Sequence, residues 1–144
     1  MDYAATFRIS ASGMALEKAR LEIASVNIAN MNSAGRSADS VFKPLKLVGQ
    51  AVPFPFAGHF DHVRAGGVRM AGAVPVETAP RLVHEPGHPY ANAQGMVAYP
   101  GVDHTAEMLN LNIALRAYEA NVVALNAGRT MAARTLDIGG QNGA

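Results

Sequence analysis

The chain has no cysteine in its 144 residues, which excludes disulfides, thiolate metal sites and a thiol nucleophile and leaves packing alone to hold the fold. Charge is also scarce. Asp, Glu, Lys and Arg make up 16% of the residues, against about a quarter in ordinary soluble domains, so part of the surface is expected to face other protein rather than water. The 12 basic and 11 acidic residues leave a net charge of +1 and form no Lys/Arg run. The basic footprint of a nucleic-acid binder is therefore missing. No apolar stretch approaches the roughly 20 residues of a membrane span. Residues 1–8 carry an early acid, Asp2, and no continuous apolar block. They do not read as a cleavable secretory signal, and any export is expected to leave the N-terminus uncut.

What is present is heptad periodicity at both ends. The length suits one domain of ordinary size. Residues 5–30 contain no proline, and Ile9, Leu16 and Ile23 recur every seven residues with Ser12, Ala19 and Val26 between them. This spacing predicts a helix with an apolar seam. Its expected stop is Asn30-Met31-Asn32-Ser33-Ala34-Gly35, where amides and a glycine suit a helix terminus. Gly13 inside the helix costs about 1 kcal/mol relative to alanine.

From about 103 to 136 the same period returns, with Met108, Leu115, Val122 and Leu136 at one position and Leu111, Tyr118, Leu125 and Ala132 at the other. Arg129 interrupts this stripe. Asp103 or Thr105 can cap the start, and Gly139-Gly140 closes the end. Such a helix runs on the order of 50 Å, longer than the rest of the chain can cover. The outer faces are assigned Asn27, Asn30, Asn110, Asn112, Asn121 and Asn126 with many alanines, where a free two-stranded coil would carry Glu and Lys. Small and amide side chains favour a multi-helix assembly.

All 8 prolines fall between the two helices. Short strand-like runs lie at 41–52, 68–76 and 81–84, residues 59–67 read as a turn-rich connection with Gly66-Gly67 as a turn, and residues 86–101 are too broken by proline and glycine to hold regular structure for long. The expected fold is mainly α, with N- and C-terminal helices forming a coiled-coil or helical-tube scaffold and a small β-rich insertion between them. Its parts are 1–35, 36–102 and 103–144.

His84-Glu85-Pro86-Gly87-His88 formally satisfies the H-E-x-x-H pattern of zinc hydrolases, and this enzyme is the alternative to a structural role. That chemistry needs both histidines one turn apart on a helix, which Pro86, Gly87 and Pro89 oppose. His59, Asp61 and His62 have spacing common in surface loops. Gly66-Gly67 lacks the helix, lysine and hydroxyl residue of a phosphate-binding loop. The helices also lack the lysine-rich polar face that anionic lipid attracts. No catalytic residue, cofactor, metal, nucleic acid or small-molecule substrate is expected.

Ala24-Ser25-Val26-Asn27-Ile28-Ala29-Asn30-Met31-Asn32-Ser33-Ala34-Gly35 resembles the N-terminal signature of flagellar rod and hook proteins, NIANxNTPGY, with Ala34 in place of proline and Arg36 in place of tyrosine. Pro86-Gly87-His88-Pro89, followed by Ala91, Ala93, Gly95, Val97 and Pro100, is similar to a loop of the proximal-rod type. Glu107-Met108 and Arg116-Ala117-Tyr118-Glu119-Ala120-Asn121-Val122 resemble the C-terminal helix of the same family. The resemblance covers about half the chain, at both ends and in order, and leaves 36–83 unmatched.

It implies a non-enzymatic subunit of the flagellar basal-body rod, exported unfolded through the flagellar type III apparatus and assembled across the periplasm. Implied neighbours are further copies, the rod proteins FlgB, FlgF and FlgG, and the adaptor FliE. Together with the heptad stripes, it nominates an assembly interface of Ile9, Leu16, Ile23, Val26, Asn27, Asn30, Met108, Leu111, Leu115, Tyr118, Asn121, Val122, Leu125, Arg129 and Leu136. The terminal helices are expected to be largely disordered in the free monomer, because an unpartnered apolar seam does not offset backbone entropy.

Overall fold

A computed structural model describes residues 3–52 and 66–140. Two long helices, α1 (Tyr3–Asn30) and α2 (His104–Gly140), enclose in sequence four strands: β1 (Leu45–Val52), β2 (Gly67–Pro75), β3 (Arg81–His84) and β4 (Met96–Tyr99). The described chain is thus mainly α with a small β insertion, as its periodicity indicates. β1 pairs with β2, and β3 pairs with β4. The chain divides into two compact units, one of Met1–Lys18, Gly49–Ala71 and Ala114–Ala144, the other of Ala19–Val48 and Gly72–Ile113.

In the first unit the two helices lie side by side and antiparallel. A Cβ on Gly13 would sit 2.7 Å from Asn121 Oδ1, and a Cβ on Gly128 would lie 3.6 Å from Thr6 Cγ2 and 3.3 Å from the Phe7 ring. Stepping back seven residues on α1 while stepping forward seven on α2 reaches the next contact. Near the helix ends Tyr3 Oη and Thr135 Oγ1 are 2.9 Å apart. The helix propensity lost at Gly13 is therefore the condition for a close approach of the two backbones. On another side of α1, Leu16 is buried against Gly49, and Ser12 Oγ accepts a bond from the Val68 N–H at 3.2 Å. Gly67, expected as a turn, instead opens β2, with no room for a side chain because Ser12 Oγ would lie 2.7 Å from its Cβ.

The second unit holds the deepest packing. Val97, Asn27 and Pro100 are the largest fully buried side chains of the described residues. β3 and β4 run antiparallel with Arg81 opposite Tyr99 and Val83 opposite Val97. The free side of β4 is met by Gly35, whose N–H donates to Ala98 O at 2.9 Å. β4 lies inside the stretch expected to lack lasting regular structure. Its four residues, Met96 to Tyr99, are free of proline and glycine, and pairing on both sides compensates for its shortness.

The end of α1 also differs from expectation. Gly35 does not supply a left-handed turn; it packs so closely that a Cβ would lie 2.7 Å from Val41 Cγ2. The helix is closed instead by Ser33, whose Oγ and N–H both donate to Asn30 O, at 2.7 and 3.0 Å. These bonds occupy a carbonyl that has no partner within the helix. At the start of α2, Asp103 is the cap: its Oδ1 accepts the N–H groups of Thr105 and Ala106 at 2.9 and 3.2 Å. The carboxylate also faces the positive end of the helix dipole.

Candidate assembly interface

The residues of the metal-hydrolase pattern do not form a metal centre. His84 ends β3, and the chain turns at once, with His88 N–H donating to Glu85 O at 3.0 Å. His88 Nδ1 accepts the Tyr90 N–H at 3.1 Å, while Glu85 Oε2 accepts the Tyr99 hydroxyl at 2.9 Å. Strand and turn replace the helix that the chemistry requires, and among the described residues no three potential ligands converge. His59, Asp61 and His62 lie outside the described residues. The hydrogen bond to the Glu85 carboxylate, then desolvation, raise the Tyr99 hydroxyl above its ordinary pKa. Lys43 is likewise raised, by its 2.6 Å hydrogen bond to Glu77 and by the charge of that carboxylate. Both partners of this pair are well exposed, where water screens an ion pair and leaves it little net value.

The helices carry the residues nominated for association. On α2, Glu107, Ala114, Asn121 and Gly128 recur every seven residues. Asn121 and Gly128 meet α1 in the first unit, Glu107 meets it in the second, and Ala114 is buried. The inner contact series is therefore small or polar and lies one residue before Met108, Leu115 and Val122. Leu111, Tyr118, Leu125 and Ala132 are half-buried, whereas Met108, Leu115 and Leu136 are exposed and Val122 is half-buried. The close helix approach explains the shift, because bulky apolar side chains cannot stand where Gly13 and Asn121 nearly touch.

Asn27 and Asn121, assigned from sequence to outer faces, accordingly lie inward. Asn121 is half-buried opposite Gly13, and its Nδ2 donates to Ala117 O at 2.9 Å. Asn27 is 1% exposed. Its Oδ1 accepts the Leu45 N–H at 2.8 Å, and its Nδ2 donates to Leu45 O at 2.9 Å and to Glu107 Oε1 at 3.3 Å. Asn30 is half-buried and donates to Val26 O at 2.8 Å.

Of the other nominated residues, Leu16 is buried, Ile23 is half-buried, and Ile9, Val26 and Arg129 are exposed. Apart from the nominated Leu136, the most exposed apolar residues of α2 are ones that the sequence pattern left unassigned. In the first unit Val123, Leu136 and Ile138 are 67%, 76% and 69% exposed, and in the second Leu109 is 59% exposed beside Ile113. Val123, Ile138, Leu109 and Ile113 fall off the heptad positions read from sequence, so a search restricted to one stripe passes over them. Of the partners of Asn27, Leu45 carries no periodic signal, and Glu107, though seven residues before Ala114, is polar and so lies off an apolar stripe. No helix among the described residues is long and apolar enough to cross a membrane, so the exposed side chains do not mark a span.

Comparison with known proteins gives this surface a context. Residues 7–35 match the family described as flagella basal body rod protein, and residues 93–138 match the family described as flagellar basal body rod FlgEFG protein C-terminal. The flagellar basal-body rod protein FlgC of Escherichia coli O157:H7 is 35% identical over 133 residues, covering 92% of this chain and 95% of the relative. Its counterpart in Salmonella typhimurium LT2 is 34% identical over 133 residues, with 92% and 95% covered. The FlgC protein of Bacillus subtilis 168 is 31% identical over 144 residues, with 93% and 96% covered.

Proposed function

The chain belongs to the FlgC family of flagellar basal-body rod proteins, a structural and non-enzymatic family, and from that premise we propose how it builds the rod. It assembles with other rod components. In this reading it occupies the proximal rod, with further copies of itself and FlgB, FlgF, FlgG and FliE as its neighbours. It reaches that place unfolded through the flagellar type III apparatus, without cleavage. Residues 1–35 and 103–144 are the rod-forming arms, and 36–102 form an insertion displayed outward.

The observation that carries the proposal is the set of bulky apolar side chains left in water on α2: Leu109 and Ile113 in one unit, Val123, Leu136 and Ile138 in the other. The inner helix contacts use alanine, asparagine and glycine, so these larger residues remain for other chains. Each contributes about 1.5–3 kcal/mol when fully buried. Many such contacts in parallel let torque pass along the rod without slippage. The nominated residues that stay exposed add to these two sets, Val26 and Met108 in the second unit and Ile9, Leu115, Arg129 and Leu136 in the first, while Asn27 and Leu16 act from inside the chain.

Val123→Asp and Leu136→Asp, introduced separately in a flagellated host, test this. We expect monomer helicity by circular dichroism to be unchanged and incorporation into isolated basal bodies to fall steeply, because a charge at an intended protein contact stays unpaired. Normal incorporation of both variants would remove α2 from the interface.

A further inference from the structure

Asn27 makes three hydrogen bonds from a side chain that water does not reach. Two of them go to the N–H and the C=O of one residue, Leu45, which is the pattern by which a neighbouring strand pairs in an antiparallel ladder. The amide thus stands in for a strand beside the first residue of β1. Immediately before it, Pro44 O accepts the Val76 N–H at 2.8 Å, so this part of the insertion is held from both directions. The third bond reaches the first turn of α2 through Glu107. All these residues lie within the second unit.

Only a carboxamide offers both the acceptor and the two donors of this set, and glutamine would carry it one methylene further from the α1 backbone. Aspartate offers no donor for Leu45 O and adds a second carboxylate beside Glu107. Serine is too short to engage both groups of Leu45, and alanine leaves both without partners. Buried donors and acceptors without partners are costly.

We propose that Asn27 is a positioning residue, a latch that makes the ordering of β1 conditional on the end of α1 and the start of α2 lying side by side. This deepens the rod reading and rests on it, since it names what keeps part of each rod-forming helix ordered in a subunit that has no neighbours yet. With Asn27 engaged, the second unit holds its helix segments in register with the insertion. Without it, helix pairing and insertion order independently, and the subunit offers its neighbours an ill-defined surface.

Residue-level hydrogen exchange on the full-length chain tests the latch, comparing wild type, Asn27→Asp, and Asn27→Asp combined with Glu107→Gln. In Asn27→Asp we expect exchange about tenfold or more faster, the scale set by loss of buried partners, at the Leu45 amide and in both adjoining helix segments, 24–30 and 105–110. Adding Glu107→Gln removes the facing charge and returns a donor, and is expected to slow exchange again in the two helix segments. Faster exchange at Leu45 alone, with the helix segments unchanged, would overturn the coupling, as would an absence of any effect from the second substitution.

If Asn27→Asp does not fold, Asn27→Ser replaces it with the same readout, and the coupling then stands or falls on whether the two helix segments open together with Leu45. Incorporation into basal bodies separates the two readings. A wild-type chain that fails to enter the rod defeats the rod assignment, whereas a latch-deficient variant that enters as well as wild type defeats the latch alone.

Discussion

At the residue scale, the polar side chains of the second unit do more than their sequence neighbourhood suggests. Tyr99 illustrates this, since its hydroxyl donates to Glu85 Oε2 at 2.9 Å across the turn that joins β3 to β4. That bond raises the hydroxyl above its ordinary pKa of 10.0. A proton bound more tightly in the folded state than in the unfolded one contributes stability that is complete below the unfolded pKa and is lost as pH rises through the folded value. Thermal unfolding of the wild type, followed from about pH 9 to 11, is expected to show a falling midpoint. Tyr99→Phe is expected to start lower at pH 9 and to flatten the decline. An unchanged slope in the variant would mean that other groups govern alkaline stability.

At the scale of elements, α1 and α2 pair through small residues, and the pairing limits what either helix can carry. Gly13→Ala improves intrinsic helix propensity by about 1 kcal/mol, yet it places a methyl group 2.7 Å from Asn121 Oδ1. The amide is itself held by its bond to Ala117 O, so it cannot simply withdraw. Overpacking of this kind costs about 1–3 kcal/mol, which outweighs the gain in propensity. We expect chemical denaturation to show a net loss, with stability returning in Gly13→Ala combined with Asn121→Ala. A stabilised single variant would show that the helix contact yields more readily than its geometry indicates. The period of seven was legible in sequence because it follows from helix geometry. Which residue of each heptad faces inward was not, because that choice depends on how near the second helix comes.

At the scale of the whole molecule, burial is uneven. Among the described residues the largest fully buried side chains, Val97, Asn27 and Pro100, all belong to the second unit, while in the first unit α2 exposes Val123, Met131, Leu136 and Ile138. Few buried contacts and many exposed backbone bonds mark the regions that open most readily. Peptide-level hydrogen exchange on the dilute monomer is expected to show fast exchange in 3–18 and 114–138 and slow exchange in 19–48 and 72–113. Equal protection throughout would mean that the free chain is already fully ordered and that rod assembly adds little to it. This measurement also checks the expectation of two largely disordered terminal helices. A subunit that orders in this way acquires its final stability from neighbours.

By itself, the sequence determined the two proline-free helices, the β-bearing segment that holds every proline, the absence of any thiol chemistry, and the family signature around Asn27 and in α2. Each of these is local: periodicity, backbone chemistry and contiguous motif are properties of neighbours in the chain. Only the tertiary structure decided that Asn121 and Gly128 form inner contacts while Val123, Leu136 and Ile138 stay outside, that Gly35 serves β4 rather than a helix stop, and that Asn27 joins Leu45 to Glu107. These outcomes depend on distances between residues far apart in sequence. A close helix approach admits small side chains and turns large ones outward, and a buried amide takes whichever partners the fold brings within reach.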